Sequence, residues 1–253
     1  MGSPRILVSN DDGIHSAGLA ALADALEPLG DVVIVAPDRE QSACSHALTL
    51  HRPLRIDEVG PGRYAVDGTP TDCVNLAVNA ILPERPALLV SGINRGANLG
   101  DDVTYSGTVS AAMEGTLLGI PSVAISLLGR GPYEFRAAAA FAARLAAWVL
   151  EQGLPPDTLL NVNVPPDAEG VAPRAVALTR MGRRRYGDAI VEKLDPRGRK
   201  YYWIGGEDVP FVAEEGTDFH AVQHGLISVT PIHLDLTNYP TLEILQPLRD
   251  TWP

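Results

Sequence analysis

Cysteine is scarce: the 253 residues hold only Cys44 and Cys73, far apart and not part of a Cys-x-x-Cys pair. A disulfide-stapled scaffold, a zinc knuckle and a dithiol redox motif are thereby excluded, and a reducing cytoplasm is the expected compartment. Lysine is as rare, occurring only as Lys193 and Lys200. A response-receiver domain needs a lysine near a late strand of its sheet, and a P-loop NTPase needs one directly after its Gly-rich loop, so neither is written here. No apolar run approaches the ~18 residues of a membrane span, and the chain passes from Met1-Gly2-Ser3-Pro4 straight into a strand, so neither an export signal nor a membrane anchor is expected. Positive charge is in deficit, 20 basic against 31 acidic residues for a formal net charge of −11, which argues against a stable nucleic-acid partner. An anionic substrate would need a local cation. Internal repeats and low-complexity segments are also missing.

The remaining composition, 45% hydrophobic and 20% charged, is that of an ordinary globular protein whose core is large enough to need no staples. Its first part alternates strand and helix. Ile6-Leu7-Val8 reads as a strand ending at Ser9-Asn10-Asp11-Asp12-Gly13, and Leu19, Leu22, Ala23, Leu26 and Leu29 recur at helical spacing until Pro28 and Gly30 close the helix. Strands are predicted at Val32–Ala36 and Tyr64–Val66. Thr69 then caps a helix that has Pro70 at its first position, Asp72 in its first turn and Pro83 beyond its end near Leu82. Ala87–Ser91 reads as a buried strand and Gly92–Ser106 as a long Gly- and Asn-rich loop, of the kind that usually carries function. Val109, Ala112, Met113, Thr116 and Leu117 fall on one helical face, Ser122–Ser126 is a strand, and an Ala-rich helix spans about 134–151. The pattern predicts a Rossmann-like α/β core at 1–165, a mostly parallel sheet with helices on both faces and ligands beyond the carboxyl ends of its strands. After Pro165-Pro166 the character changes. Arg183-Arg184-Arg185, Tyr201-Tyr202-Trp203 and Gly205-Gly206 suggest hairpins, so 166–253 reads as an elaboration whose exposed aromatic ribbons would gain stability by pairing with another subunit.

Chemistry concentrates at the strand ends. Adjacent carboxylates such as Asp11 and Asp12 repel unless a cation or a proton compensates them, and Gly13 supplies the bend that lets both face one ion. A solvated turn with an Asp cap is the plainer reading of the same residues. Two more strand ends, Pro37–Ala43 and Gly92–Asn98, converge on that crevice, and together the three offer carboxylates, a hydroxyl and amides, hard oxygen donors that suit magnesium, manganese or calcium. Tyr105-Ser106-Gly107-Thr108-Val109 opens a helix whose unpaired N–H groups could cradle an anion, or be simply capped.

Through Ser9-Asn10-Asp11-Asp12-Gly13, Ala36-Pro37-Asp38-Arg39, Gly68-Thr69-Pro70-Thr71-Asp72-Cys73, Ser91-Gly92-Ile93-Asn94 and Tyr105-Ser106-Gly107-Thr108, the chain closely resembles the SurE family of survival-protein nucleotidases. The resemblance resumes at Ser228-Val229-Thr230-Pro231 with His233 and Asp235. It implies metal-dependent hydrolysis of nucleoside 5′-monophosphates, with 3′-nucleotides and short polyphosphate as further substrates. One divalent ion per subunit, Mg²⁺ or Mn²⁺ with Ca²⁺ as an alternative in crystals, would be held by Asp11, Asp12, Ser42 and Asn94. Ala43 stands where the family often has glycine, which narrows backbone freedom but leaves the Ser42 hydroxyl. The resemblance further implies a β-rich extension used in dimer contacts, with swapped C-terminal segments in a homodimer or homotetramer.

In that setting Asp11 and Asp12 are the catalytic candidates. Asp11 would orient or deprotonate a water, or attack phosphorus itself through an aspartyl-phosphate. Asn98, Ser106, Gly107 and Thr108 would hold phosphate oxygens, and Arg95 or Arg39 could be the local cation, although a structural role is the plainer account of each arginine. His220 and His224 have a helical metal spacing but lack the glutamate of His-Glu-x-x-His, so structural roles are expected for them and for His233. Asp101-Asp102 reads as a solvated turn, and Arg183–Arg185 with Tyr186 as either a solvated run or a grip for polyphosphate or RNA. The competing reading of the whole is a non-catalytic nucleotide-binding module, which would release no phosphate and would tolerate loss of Asp11.

Overall fold

The computed structural model describes residues 2–129, 131–166, 175–183, 190–204 and 214–251. Strand β1 (Arg5–Ser9) alternates Ile6 and Val8 on one face with Leu7 on the other, all fully buried, each contributing roughly 1.5–3 kcal/mol by its removal from water. Helix α1 (Ala17–Leu26) starts where the Ser16 hydroxyl accepts the Leu19 N–H, and a 3₁₀ turn over Glu27–Leu29 ends it at the predicted Pro28 and Gly30. Strand β2 (Asp31–Pro37) follows, then a hairpin of β3 (Ile56–Gly60) and β4 (Arg63–Val66). Helix α2 (Pro70–Leu76) has the predicted cap and first turn, with Thr69 and Asp72 exchanging side-chain and backbone bonds. It widens into a π turn over Ala77–Ile81 before Leu82.

Strand β5 (Leu88–Arg95), helix α3 (Gly107–Leu117), strand β6 (Ser122–Leu127), helix α4 (Arg136–Gln152) and strand β7 (Thr158–Val164) complete the parallel part. The described remainder comprises β8 (Val176–Leu178), β9 (Ile190–Leu194), β10 (Lys200–Ile204), α5 (Asp218–Gln223), β11 (Ile227–His233), α6 (Tyr239–Ile244) and α7 (Leu248–Thr251).

Nine strands form one sheet in the order β3-β4-β2-β1-β5-β6-β7-β11-β8. The six from β4 to β7 are mutually parallel, β3 and β11 lie antiparallel to β4 and β7, and β8 runs parallel to β11. Helices α1 and α4 cover the face of Ile6, Val8 and Leu88 through Leu19, Leu22, Ala138 and Ala142. Helices α2 and α3 cover the face of Leu7, Val35 and Leu89 through Cys73, Val74, Val109 and Ala112. The predicted α/β architecture is therefore present. The chain runs outward from β1 to β2 and β4 and returns to β5 on the other side of β1, so the strand order reverses between β1 and β5, where crevices form in such sheets.

Several expectations need correction. The strand predicted over 87–91 runs on to Arg95 past a register shift between Ser91 and Asn94, and residues 100–104 form a 3₁₀ helix, so the loop is shorter than Gly92–Ser106. Leu117 points to solvent because α3 ends there. Strands β3, β7, β8 and β11 were not anticipated. The expected hairpin is seen in β9 and β10, which pair only with each other among the described residues. Gly205-Gly206 lies outside the described residues, as do Arg184, Arg185 and Tyr186.

Candidate active site at the switch point of the sheet

The turn after β1 is built by its own side chains. Asn10 is fully buried, accepts the Gly13 N–H at 3.2 Å and donates to the Gly13 carbonyl at 3.1 Å and to Ser16 Oγ at 2.7 Å. Gly13 adopts φ +96°, a conformation open to glycine, and this bend removes Asp11 and Asp12 from the strand alternation that would have pointed them apart. Asp11 is buried and accepts a short hydrogen bond from the Thr108 hydroxyl. Burial is the main cause of a carboxyl pKa pushed up to about 6; the bond from Thr108 opposes it and the Asp12 charge adds to it.

Helix α3 delivers Thr108. Its Ser106 N-cap accepts the Val109 N–H at 3.1 Å, and Gly107, the first helical residue, lies directly on Asp11. A methyl group at Gly107 would stand 2.7 Å from Asp11 Cβ and 3.1 Å from Cys44 Sγ, so only glycine permits this approach. Burial, with the Asp11 charge adding to it, pushes the Cys44 thiol up to about 11, which marks Cys44 as packing rather than nucleophile.

Asp12 has a partner of its own. Arg95, at the end of β5, binds it through Nε at 3.2 Å, Nη2 at 3.0 Å and the backbone N–H at 3.3 Å. Beside it, Asn94 commits its amide N–H to the Gly96 carbonyl at 3.0 Å, which leaves Oδ1 as the atom suited to a cation. The segment after β2 is joined to Asp11 by the Gln41 N–H on its backbone carbonyl at 2.8 Å, while the exposed Ser42 hydroxyl donates to Glu40 at 2.6 Å. The structure thus brings Asp11, Gly107 and Thr108 into contact, with Ser106 as the helix cap, and places Asp12 on Arg95 next to Asn94. Asn98 lies within a buried network instead: its backbone N–H donates to Asn163, its side-chain N–H to Ser126 Oγ, and its carbonyl accepts from Asn161 and Asn163, all at 2.8 Å.

The donor set fits a hard divalent ion. Asp11 and Asp12 are adjacent carboxylates, one of them buried with its proton affinity raised, and a cation relieves that repulsion. Among the described residues no three His, Cys, Asp or Glu side chains gather, so an ion here would rest on two carboxylates and neutral oxygens.

Sequence reasoning missed the supports of the two longer segments. Asp72 accepts the Thr49 N–H at 2.8 Å and its hydroxyl at 2.6 Å, and Glu114 accepts from Asn75 and bonds His46, each at 2.9 Å. Together they strap the chain carrying Ser42 and Cys44 onto α2 and α3. No spacing in the sequence announces these pairs; the polar Asn161 and Asn163 at i and i+2 in an apolar run were the one legible hint. The rings of His220 and His224 lie with centroids 4.2 Å apart, tilted by 36°, and His233 ends β11 opposite Thr158.

Residues 6–188 match the family model described as survival protein SurE. A 5′-nucleotidase SurE of Geobacter sulfurreducens is 62% identical over 243 residues, covering 96% of this chain and 92% of that one. A second, from Syntrophotalea carbinolica, is 61% identical over 95% of each chain. Among solved structures, a crystal structure of the SurE protein from Aquifex aeolicus superposes with a TM-score of 0.88 at 47% identity, covering 98% of this chain and all of that one.

Proposed function

The chain belongs to the survival protein SurE family, and from that premise we propose that the crevice between β1 and β5 hydrolyses nucleoside monophosphates to nucleoside and phosphate. The protein is a hydrolase, a nucleotide phosphomonoesterase. The observation that carries the assignment to this crevice is the seating of the α3 N-terminus on Asp11: Gly107 in contact and Thr108 bonded to the carboxylate.

Each residue's part follows from its surroundings. The first N–H groups of α3 and the dipole behind them attract the anionic phosphoryl oxygens, with the Ser106 cap fixing the helix start. Thr108 holds Asp11 in one orientation, from which Asp11 takes a proton from the attacking water. Asp11, Asp12, Ser42 and Asn94 would hold one divalent ion, Mg²⁺ or Mn²⁺, for which the Ser42 hydroxyl would have to turn from Glu40. Such an ion supplies Lewis acidity toward a phosphoryl oxygen and neutralises charge that develops there. Arg95 orients Asp12 through its guanidinium, a charge matched by the carboxylate that it holds. Asn98 contributes by anchoring the loop that leads to Ser106.

No helix among the described residues is long and apolar enough to cross a membrane, and we place the enzyme in the cytoplasm. Apolar side chains left exposed on α6, β8 and the β9–β10 hairpin, such as Ile244, Leu178 and Trp203, support assembly through the C-terminal region into a homodimer or homotetramer with exchanged segments.

Phosphate release from adenosine 5′-monophosphate in Mg²⁺ or Mn²⁺ tests the assignment. Asp11→Asn should lower kcat by on the order of 10³ while circular dichroism and Tm stay those of the parent. Undiminished turnover in that variant rejects the site.

A further inference from the structure

A cleft of about 370 Å³ opens beside Asp12, between the turn entering α1 and the ends of β2 and β5, and His15, Asp38, Arg39 and Arg95 line it. Its size lies in the range of about 300–1,000 Å³ found for small-molecule sites. Its position is as informative. Asp12 is a wall of the cleft, whereas Asp11, its neighbour, faces the α3 N-terminus. A phosphoester whose phosphoryl group lies against Gly107 and Thr108 would therefore extend its other end over Asp12 into this space.

The charges lining the cleft select what that end can be. Arg95 is paired with Asp12 at 3.0 Å and Arg39 with Asp38 at 3.4 Å, so the guanidinium groups are matched by carboxylates. A second phosphate would meet as many negative groups as positive ones. A polyhydroxylated ring carrying a flat aromatic base meets what it needs: carboxylate oxygens that accept from hydroxyls, and guanidinium planes that stack on π-systems. Asp38 and Arg39 are also the pair able to respond. Their side chains are 40% and 67% exposed and their contact is long, the kind of surface pair that contributes little and can exchange partners.

We infer that this cleft is the nucleoside subsite, in which Asp38 accepts from the vicinal ribose hydroxyls and Arg39 lies over the base. The inference rests on the phosphomonoesterase reading and assigns the substrate's leaving half to residues outside the reacting centre.

The test compares adenosine 5′-monophosphate, its 2′-deoxy analogue and p-nitrophenyl phosphate, which has no nucleoside, in the Mn²⁺-loaded wild type, Arg39→Ala and Asp38→Ala. Arg39→Ala should lower kcat/KM for the nucleotide about tenfold and leave p-nitrophenyl phosphate within about twofold. It should also weaken competitive inhibition of p-nitrophenyl phosphate hydrolysis by adenosine, a readout that disordering of the reacting centre would not move selectively. Asp38→Ala should abolish the preference for the ribonucleotide over the deoxynucleotide. Equal losses on nucleotide and p-nitrophenyl phosphate, or no loss on the nucleotide, overturn the subsite. A wild type that hydrolyses neither substrate overturns the parent reading, and the subsite with it, so the two failures are distinct.

Discussion

The segments that follow β1 and β5 reach the same crevice by opposite means. The first is tied within itself: every side-chain bond of Asn10 goes to Gly13 or Ser16, three to six residues away. The second is held from afar. Asn98 is bonded by Ser126, 28 residues on, and by Asn161 and Asn163, 63 and 65 residues on, and the Gly100 N–H donates at 2.7 Å to Asp218, 118 residues on. A self-contained turn keeps its geometry wherever the strand ends. A loop held by distant side chains keeps its geometry only while the sheet beneath it is assembled, so the site depends on the fold chiefly through its second half.

Gly107→Ala breaks the arrangement where the two halves meet. The added methyl would lie 2.9 Å from Asp11 Oδ2 as well as against its Cβ, and neither α3 nor the β1 turn can yield without moving the other. Overpacking of this kind costs about 1–3 kcal/mol. Displacement of the reacting groups by even an ångström costs about a hundredfold in rate. The expected outcome is phosphate release reduced by about two orders of magnitude with a modest fall in Tm; wild-type kinetics in this variant would show that the helix is not clamped on Asp11.

Removing the distant clamp alone sharpens the contrast. Asn163→Ala leaves the buried Asn98 N–H without its acceptor, a loss of about 1–3 kcal/mol, which at about 2–4 °C per kcal/mol for a chain of this size appears as a Tm several degrees lower. Hydrogen exchange should accelerate in residues 98–106 while the Asn10–Ser16 turn keeps its protection. Uniform acceleration across both segments would contradict their independence.

The same contrast decides what could be read in advance. The β1 turn, the Thr69 cap and the Ser106 cap are local, each a donor and acceptor within three residues, and the sequence displays them directly. Strand β7 showed only a hint of itself, for the reason that makes it important: Asn161 and Asn163 are poor strand residues, and they are there because their amides bind the Asn98 backbone on the neighbouring loop. Asp72 looked like a first-turn acid and is one, but its second task, holding Thr49, depends on a loop that no local rule brings back to α2. Ser42 was legible as the hydroxyl of the strand end after β2, but its place among the ligands came from the resemblance, since its strap runs through Asp72 and the His46–Glu114 pair rather than through any pattern of its own.

Glu114→Gln tests that strap with a smaller effect. The hydrogen bond from His46 is the main reason that the Glu114 carboxyl titrates below its ordinary value of 4.5; burial opposes it and the Asn75 amide reinforces it. A carboxylate whose folded-state pKa is lowered adds stability that is fully present above the unfolded value and disappears as pH falls through the folded one. The wild type should therefore exceed Glu114→Gln in Tm near neutrality, and the gap should narrow progressively below about pH 4.5 as both proteins come to carry a neutral side chain there. His46→Ala should lower the Tm at neutrality in the same direction and, by loosening residues 44–49, weaken Mn²⁺ binding to the protein, measurable by calorimetry. Equal Tm values for wild type and Glu114→Gln at pH 7, with no gap to narrow in acid, would mean that the 44–49 strap is held by Asp72 alone, and that the second long segment, unlike the loop after β5, rests on a single distant residue.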